Sequence, residues 1–472
     1  MATGESLIDD LRAALGPEAV ATGADVARWS QDWTGQYAWR PLCVARPADT
    51  RGVATVLRMA RDRGVPVVPV SGNTNLAGGT IAEGACMLSL DRMNRVRAIN
   101  PAARTAVVEA GVILSQLHAE AETHGLTFPM TFGAKGSAML GGMLSTNAGG
   151  SGVLRHGNTR DLVLGIEAVL PDGRVLDSLS ALHKNNSGYD LRHLLIGAEG
   201  TLGVITAAVV KLVPQPLARA TAMVAVPSLD AGLTLLNRLQ EASGGAVEAC
   251  EYMDRVFMRT HAAHFPDAAA PFAEAHDVNI MVELASTAPR DATPGPEGQV
   301  PLAAHLENVL GDMLEQGLVL DAVVAQSEAQ RLAMWQRREA AAEITVARKP
   351  VLITDVAVPV DAVDTFLKAM QHRLAEIDPD AEALVIGHLG DGNMHYSVWP
   401  SDAAHKEAIT EAIEDEVIAL RGSFSAEHGI GTAKLGSMQR RKDPVAVEVM
   451  RAIKGALDPD DLMNPGKVIP PS

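Results

Sequence analysis

The sequence predicts an α+β fold, and three features of the chain support this prediction. Short β-branched runs separated by glycine dominate between residues 65 and 216, whereas long Ala-, Glu- and Leu-rich helices alternate with strands from residue 217 onward. Pro214-Gln215-Pro216 separates the two regions. The length of 472 residues is too great for one ordinary core. We therefore expect two or three domains that combine sheets with helices.

The first region predicts helices that lead into a glycine-rich set of strands. Apolar residues recur at helical spacing in residues 6–15 and in Thr50–Gly64. A β-branched strand follows at residues 65–70 and ends in a glycine-rich turn. Pro171-Asp172-Gly173 is typical of a hairpin turn. The further predicted strands are 86–90, 105–113, 163–170, 174–177 and 203–212.

The second region predicts helices on one face of an antiparallel sheet. The predicted helices are 229–242, 301–316, 326–347 and 361–376. The predicted strands are 221–226, 278–285 and 351–358, together with the stretch 383–398. The last fifty residues return to glycine-rich and then helical sequence.

Composition and charge exclude several classes of function. Forty Lys and Arg against 57 Asp and Glu give a formal net charge of −17, which repels nucleic acids and anionic membranes. Three scattered cysteines without a CxxC motif exclude a disulfide framework, a thiolate zinc site and a cysteine-ligated iron–sulfur cluster. The chain has neither a signal-peptide pattern nor a membrane-spanning apolar run. A cytoplasmic protein is therefore expected.

The segment Gly387–His395, GHLGDGNMH, predicts a pair of metal-binding histidines. If Asp391-Gly392 forms the centre of a two-residue hairpin, His388 lies directly opposite His395. Opposed Cβ atoms are about 5 Å apart, which suits two imidazoles that share one ion. The alternative is two half-buried strand histidines that bond only to their neighbours.

A second segment, AEHGIG, sets Glu427 and His428 between small residues. Glu427 would add a carboxylate ligand, and His428 could act as a general base. His388, His395 and Glu427 with an open fourth position match a catalytic zinc pattern, and manganese uses the same groups. An ordinary glycine turn remains the alternative.

Three glycine-rich segments predict a site for a large ligand. PVSGNTNLAGGT at residues 69–80 follows a strand, and its backbone N–H groups could wrap a pyrophosphate. It matches neither the P-loop nor the dinucleotide fingerprint. The small-residue runs 133–150 and 197–205 would let backbone lie close to a flat ligand. Taken alone, the first loop would be read as a plain glycine turn.

In this order, the segments resemble the FAD-dependent D-2-hydroxyacid dehydrogenases of the vanillyl-alcohol oxidase/p-cresol methylhydroxylase superfamily. The hydroxyglutarate-oxidising members of that family are the most similar subgroup. The resemblance runs from about residue 38 to Lys467. It rests on SGNTNLAGG, FGAKGSAMLGGMLSTNAGG, LRHGNTRDLVLGIEAVLPDG, NNSGYDLRHLLIGAEGTLGVIT, HLGDGNMH, EHGIG and DLMNPGK.

The resemblance implies four parts of the chain and a noncovalent FAD, because the first glycine loop lacks the histidine to which some superfamily members attach flavin. The parts are an N-terminal helical segment (1–36), an FAD-binding domain of two subdomains (37–216), an antiparallel-sheet cap that binds substrate (217–422) and a C-terminal segment that returns to the flavin (423–472). The residues that it places at FAD are Ser71, Gly72, Asn73, Thr74, Asn75, Ala134, Ser137, Gly142, Thr146, Asn147, Gly203, Ile205 and Asn464.

The resemblance also implies a reaction, the oxidation of a D-2-hydroxy acid such as D-2-hydroxyglutarate or D-lactate to the 2-oxo acid. His388, His395 and Glu427 would hold the metal, His428 would take the proton and Arg338 would bind substrate. Electrons would pass to an external acceptor, a quinone or an electron-transfer flavoprotein. The metal, the acceptor and the oligomeric state stay open, with a homodimer as one option. The rival functions are a metallohydrolase and a flavin-binding protein without this activity.

Three positions depart from the hydroxyglutarate pattern. The chain has Ala342 where those enzymes carry Thr, Ile353 where they carry Lys, and Ser397 where they carry Asn. Polar contacts to a second carboxylate are thereby replaced by smaller or apolar groups. Which D-2-hydroxy acid is the substrate therefore stays open.

Overall fold

The computed structural model describes residues 2–296 and 298–471, and both helices and strands occur in each half of the chain. The helices are α1 (Ala2–Leu15), α2 (Thr50–Asp62), α3 (Leu114–Glu122), α4 (Leu140–Thr146), α5 (Val153–His156), α6 (Arg192–Leu195), α7 (Leu229–Ser243), α8 (Arg255–His264), α9 (Pro289–Ala292), α10 (Pro301–Glu315), α11 (Glu328–Glu339), α12 (Ala341–Val346), α13 (Val363–Ile377), α14 (Lys406–Ala419), α15 (Leu435–Arg441) and α16 (Pro444–Leu457).

The strands form sheets in both halves of the chain. They are β1 (Val20–Ala21), β2 (Cys43–Ala45), β3 (Val67–Val70), β4 (Cys86–Ser89), β5 (Val96–Asn100), β6 (Thr105–Glu109), β7 (Leu126–Thr127), β8 (Val163–Val169), β9 (Val175–Ser178), β10 (Val204–Lys211), β11 (Val213–Pro214), β12 (Ala218–Val226), β13 (Val247–Asp254), β14 (Val278–Ser286), β15 (Asp321–Val324), β16 (Val356–Ala357), β17 (Glu382–His388) and β18 (Asn393–Trp399).

The chain divides into two compact units, which we call unit 1 and unit 2. Unit 1 contains the chain up to Gly150, then Gly157–Pro214 and the chain from Glu427 onward. Unit 2 contains Ser151–His156 and Gln215–Ala426. Within the described residues, no helix is both long enough and apolar enough to cross a bilayer.

The first sheet of unit 1 has the order β1-β2-β4-β3, in which β2, β4 and β3 run parallel and β1 is antiparallel. Asp49 caps α2 by accepting a hydrogen bond from the third residue of its first turn. The apolar face predicted for this helix is confirmed, because Val53 and Leu57 are buried against Leu7 and Leu11 of α1. The chain then passes through β3 into the first glycine loop.

The second sheet of unit 1 is antiparallel and has the order β5-β6-β10-β8-β9. The predicted hairpin between β8 and β9 is confirmed, since Val169 pairs with Val175 and Gly173 adopts φ 82° in the turn. Helices α3 and α4 bury Leu117 and Leu144 in the core of this sheet. The glycine-rich run 133–150 is held at this core through α4.

Unit 2 is built on a seven-stranded antiparallel sheet with the order β15-β12-β14-β13-β17-β18-β16. Helices α7, α10, α13 and α14 cover one face, whereas α8, α11 and α12 cover the other. The prediction of helices on one face was therefore wrong. Strands such as β12, Ala218–Val226, are apolar on both faces, as expected of a sheet that is covered twice.

Several elements of unit 2 differ from the prediction. The helix expected at 326–347 divides at Ala340 into α11 and α12, and the strand expected at 351–358 shortens to β16. The central strand β13 was not predicted, because Glu248, Glu251 and Asp254 interrupt its apolar pattern. Of these carboxylates, Glu251 belongs to the polar end of the sheet described below.

Candidate active site

The first glycine loop leaves β3 and is shaped by its own side chains. Asn75 Oδ1 accepts a hydrogen bond from Gly79 N at 3.0 Å, and Asn73 Nδ2 donates to Gln31 O at 2.9 Å. A Cβ on Gly72 would lie 2.3 Å from Ser137 O, so only glycine fits there. The asparagine amides therefore brace this loop, and its backbone N–H groups are the donors suited to an anion.

The second glycine-rich run packs against this loop. The nearest atom to a Cβ on Gly142 would be Ser71 Cβ at 3.4 Å, and Thr146 Oγ1 donates to Gly142 O at 3.1 Å. Asn147 ends α4 in the left-handed region with φ 52°, and its Oδ1 accepts from Arg160 N at 2.9 Å. The structure thus brings the Ser71 loop and residues 137–147 together.

Three further residues that were predicted to contact FAD, Gly203, Ile205 and Ala134, lie at the second sheet of unit 1. Gly203 has φ 152° just before β10, and a Cβ there would lie 2.8 Å from a carbonyl oxygen of β8. Ile205 is buried in the apolar core of the second sheet, where Ala134 packs at the margin. The side chain of Ile205 is therefore part of this core.

Glu199 links the third glycine segment to the loop that follows His428. Its carboxylate accepts hydrogen bonds from Ile430 N at 2.7 Å and Gly431 N at 2.9 Å. Burial raises the pKa of Glu199 above its usual range, although these two N–H groups act in the opposite direction. A Cβ on Gly429 would lie 2.7 Å from Glu199 Oε1. Glu199 therefore sets the backbone directly after His428, a role that its place in the GAEGT motif did not reveal.

The C-terminal segment reaches the same loops through Asn464. Its Nδ2 donates to Gly79 O at 3.1 Å and to Glu199 O at 2.7 Å, while its buried Oδ1 has no hydrogen-bond partner among the described residues. Three residues later, Lys467 is 6% exposed, and burial lowers its pKa to about 8. Val468 N donates to Gly431 O at 3.0 Å, which holds this lysine beside the loop after His428.

The hairpin of β17 and β18 differs in register from the prediction. Asn393, not His395, is the partner of His388, and His395 pairs with Ile386. The loop has four residues, because the carbonyl of His388 accepts from the N–H groups of Asp391 and Gly392, and only Gly392 adopts positive φ. The two histidines are still diagonal neighbours on one face, with ring centroids 5.7 Å apart.

A buried carboxylate joins the first histidine to the predicted substrate arginine. Glu251 on β13 accepts from Arg338 Nε at 2.7 Å through one oxygen and contacts His388 Nδ1 at 2.8 Å through the other. Burial would raise the pKa of Glu251, but the charges of His388 and Arg338 and their hydrogen bonds outweigh it and lower the pKa to about 2. In the sequence, Glu251 is marked only as a charged position within an apolar segment.

Helix α11 presents one polar stripe to the sheet. Arg331, Trp335 and Arg338 follow the i, i+4, i+7 spacing of one helix face. Glu283 on β14 accepts from Arg331 at 2.9 Å and from the indole N–H of Trp335 at 2.8 Å. Two buried carboxylates, Glu283 and Glu251, therefore anchor this helix on the sheet.

A second carboxylate lies beside the other histidine. Asp355 is fully buried, and its Oδ1 accepts from Asn393 Nδ2 at 2.9 Å and lies 3.8 Å from His395 Nδ1. Its Oδ2 accepts from Ala426 N at 3.2 Å. The Oδ1 of Asn393 is buried without a hydrogen-bond partner among the described residues. Carboxylate, imidazole and amide groups thus converge at this end of the sheet.

The remaining predicted residues are spread over different environments. Glu427 and His428 open the last part of unit 1. Of the three departures from the hydroxyglutarate pattern, Ala342 and Ile353 are exposed, whereas Ser397 is buried on the same face of β18 as His395. The assignment of ligands, base and substrate contacts to these residues stays a prediction.

Comparison with known proteins gives two family matches and close relatives. Residues 41–178 match the family "FAD binding domain", and residues 215–468 match "FAD linked oxidases, C-terminal domain". A D-2-hydroxyglutarate dehydrogenase of Xanthomonas citri pv. viticola is 37% identical over 454 residues, which cover 94% of this chain and 93% of that protein. One of Stutzerimonas stutzeri is 34% identical over 476 residues, covering 99% of both chains.

The fold also matches solved structures. p-Cresol methylhydroxylase with bound substrate aligns with a TM-score of 0.76 at 15% identity, covering 100% of this chain and 97% of that one. Together, fold and matches define an FAD-dependent oxidoreductase of the vanillyl-alcohol oxidase/p-cresol methylhydroxylase superfamily. Within it, the chain belongs to the family of the FAD-dependent D-2-hydroxyacid dehydrogenases.

The residues of unit 1 fit FAD. The backbone at Gly72 leaves no room for a side chain, and Asn464 carries a buried oxygen without a partner among the described residues. Lys467 is a buried residue that no opposing charge of the described residues accompanies. A buried cation without a partner is costly, so an anionic group of the cofactor is the natural counterpart. The first glycine loop, Asn464 and Lys467 would therefore hold FAD.

Proposed function

We propose that the protein oxidises a D-2-hydroxy acid to the 2-oxo acid with FAD and a divalent metal ion. The observation that carries this proposal is the polar end of the unit 2 sheet, where His388 and His395 lie on one face and Glu251 contacts both His388 and Arg338. When bound, FAD would accept the hydride from C2 of the substrate. The remaining chemistry, orienting the acid and removing its hydroxyl proton, falls to residues of this chain.

The residues of unit 2 also fit a divalent ion. Two imidazoles and the unpaired Asn393 oxygen are ligand types that zinc or manganese accepts. We propose Glu427 as the third ligand, because it directly follows Ala426, whose N–H is bonded to Asp355. Zinc is the first choice, and an ion held there would lower the pKa of the substrate hydroxyl.

His428 is the proposed base, and Arg338 is the proposed carboxylate anchor. His428 stands between Glu427 and Gly429, and the N–H groups of Ile430 and Gly431 donate to Glu199 and hold the turn that follows. A positioned imidazole can take the hydroxyl proton as hydride leaves C2. Arg338 contacts Glu251 through Nε, so its terminal nitrogens are the ones suited to a substrate carboxylate.

Acids with a short or apolar tail are the proposed substrates. The relatives are named for D-2-hydroxyglutarate. This chain has Ile353 and Ala342 where the hydroxyglutarate pattern that it resembles has Lys and Thr. Ile353 is 44% exposed and offers apolar surface instead of a charge. D-Lactate and D-2-hydroxybutyrate are therefore expected to rival D-2-hydroxyglutarate as substrates.

We further propose that the reduced flavin passes its electrons to an external acceptor and that the protein is cytoplasmic.

An anaerobic screen of D- and L-2-hydroxy acids against the purified flavoprotein tests the function. We expect D-acids to bleach the flavin absorbance and the matched L-acids to leave it unchanged, because a base and an arginine set one handedness at C2. Flavin that no 2-hydroxy acid bleaches would contradict the proposal and favour a protein without this activity. Colourless protein with metal-dependent hydrolysis would favour the hydrolase.

A further inference from the structure

We propose that Glu251 is a positioning residue that couples the metal site to the substrate arginine. This inference rests on the proposed function, since it concerns the residues assigned there to metal and substrate. Glu251 is 1% exposed and contacts His388 and Arg338 through separate oxygens, at 2.8 and 2.7 Å. Its two contacts join two parts of the site that come from β17 and α11.

The backbone places Glu251 for this task. β13 lies next to β17 in the sheet, and Glu251 is the direct cross-strand partner of His388. Directly opposed side chains lie about 5 Å apart, so the carboxylate meets the imidazole without distortion. Arg338 reaches the other oxygen from the last turn of α11, above the same face of the sheet.

Each contact sets an orientation that the proposed chemistry requires. An imidazole whose Nδ1–H donates to a carboxylate presents Nε2 to a metal, and such a carboxylate also increases ligand basicity. The bond at Arg338 Nε fixes the plane of the guanidinium, so the position of its terminal nitrogens is set before substrate arrives. One carboxylate therefore sets the ligand nitrogen and the substrate anchor together.

Glu283 provides a matched comparison on the same sheet face. It is also buried, at 3% exposed, and it also anchors α11, but its partners are Thr221, Arg219, Arg331 and Trp335. None of these partners is a proposed ligand or substrate contact. A merely structural role for Glu251 would make the two carboxylates equivalent, whereas the coupling role makes them different.

The experiment compares Glu251→Gln with Glu283→Gln in the full-length flavoprotein. We expect Glu251→Gln to weaken zinc binding by about 10- to 100-fold, measured by competition with a chromophoric chelator, since loss of such a supporting carboxylate has that cost. It should also raise KM for the D-acid, while FAD content stays at the wild-type level. Glu283→Gln should keep wild-type zinc affinity even if its melting temperature falls.

The possible outcomes distinguish failure of the coupling role from failure of the proposed metal site. Glu251→Gln with wild-type zinc affinity, or an equal loss in Glu283→Gln, would overturn the coupling while leaving the proposed function intact. A wild-type protein that binds no divalent ion would overturn the proposed metal site and this inference together. If Glu251→Gln does not fold, Glu251→Asp keeps the charge but loses reach, and it should show an intermediate loss of zinc affinity.

Discussion

The two units differ in the chemical groups that they offer to a ligand. In unit 1 the candidate FAD loops are contiguous runs of small residues, and their main donors are backbone N–H groups. In unit 2 the candidate site uses side chains from β13, β17, β18 and α11, which are brought together by the sheet. Cofactor binding in unit 1 should therefore tolerate changes in unit 2, whereas each polar side chain of unit 2 should be individually important.

Loss of a proposed metal ligand tests this separation with the largest expected effect. In His395→Ala we expect turnover to fall by about 10³-fold or more, because a Lewis acid contributes several kcal/mol. FAD content should remain at the wild-type level, since His395 lies outside the flavin loops. Steady-state kinetics measures turnover, flavin absorbance measures FAD content, and elemental analysis measures the metal. Full activity in demonstrably metal-free wild-type protein would contradict the metal assignment.

Removal of the proposed base, His428, should have the next largest effect. His428→Ala should lower turnover by about 10²- to 10⁴-fold, the usual contribution of a positioned proton acceptor. Steady-state kinetics with a D-2-hydroxy acid measures the loss, and FAD content should be kept. Because His428 adjoins Glu427, metal content must be measured in the same preparation. Near-normal turnover with normal metal content would mean that the proton leaves by another route.

Lys467 is the exception in unit 1, because it is a side chain on which cofactor binding should depend. Lys467→Met should weaken FAD binding by about 10- to 100-fold, the range for loss of one charged hydrogen bond. Titration of apoprotein with FAD measures the dissociation constant. Lys467→Arg keeps the charge and should lose less. Equal affinity in the Met variant and the wild type would exclude contact with an anionic group.

The pH dependence of the stability of the apoprotein tests the burial of Lys467 independently of FAD. The pKa of Lys467 is lowered from 10.5 to about 8 in the folded chain, so the unfolded chain binds the proton more tightly between these values. Stability of wild-type apoprotein relative to Lys467→Met should therefore rise as pH increases from 8 to 10.5, by up to about 3 kcal/mol. Urea unfolding at several pH values measures this difference, and a flat difference would contradict it.

Substrate preference should show the smallest effect. Ile353→Lys should shift kcat/KM toward D-2-hydroxyglutarate by about tenfold, because a half-exposed charge gains less than a buried one. The wild type should use D-lactate or D-2-hydroxybutyrate at least as well as the dicarboxylate. Ile353→Met is the control for side-chain length. A wild type that strongly prefers D-2-hydroxyglutarate over every monocarboxylate would disprove this specificity.

Prediction from sequence succeeded where the signal is local. The face of α2, the hairpin between β8 and β9 and the loop after β3 each depend on residues close in the chain. The register of the β17–β18 hairpin was missed because Asp391-Gly392 was given the turn that this dipeptide favours. Pairing of Leu389 N with Cys250 O on β13, a strand 139 residues earlier, accompanies the longer loop that the structure adopts.

The amino-acid sequence was sufficient to predict the class of protein, because its glycine motifs are contiguous and stand in a recognisable order along the chain. The contacts that Glu251 makes with His388 and Glu199 makes with the loop after His428 emerge only in the folded chain. Glu251 and Glu199 are single acidic residues whose partners lie 137 and 231 positions away. Their burial is stable only because those partners supply hydrogen bonds, and such pairing arises from strand order and packing, which local patterns do not encode.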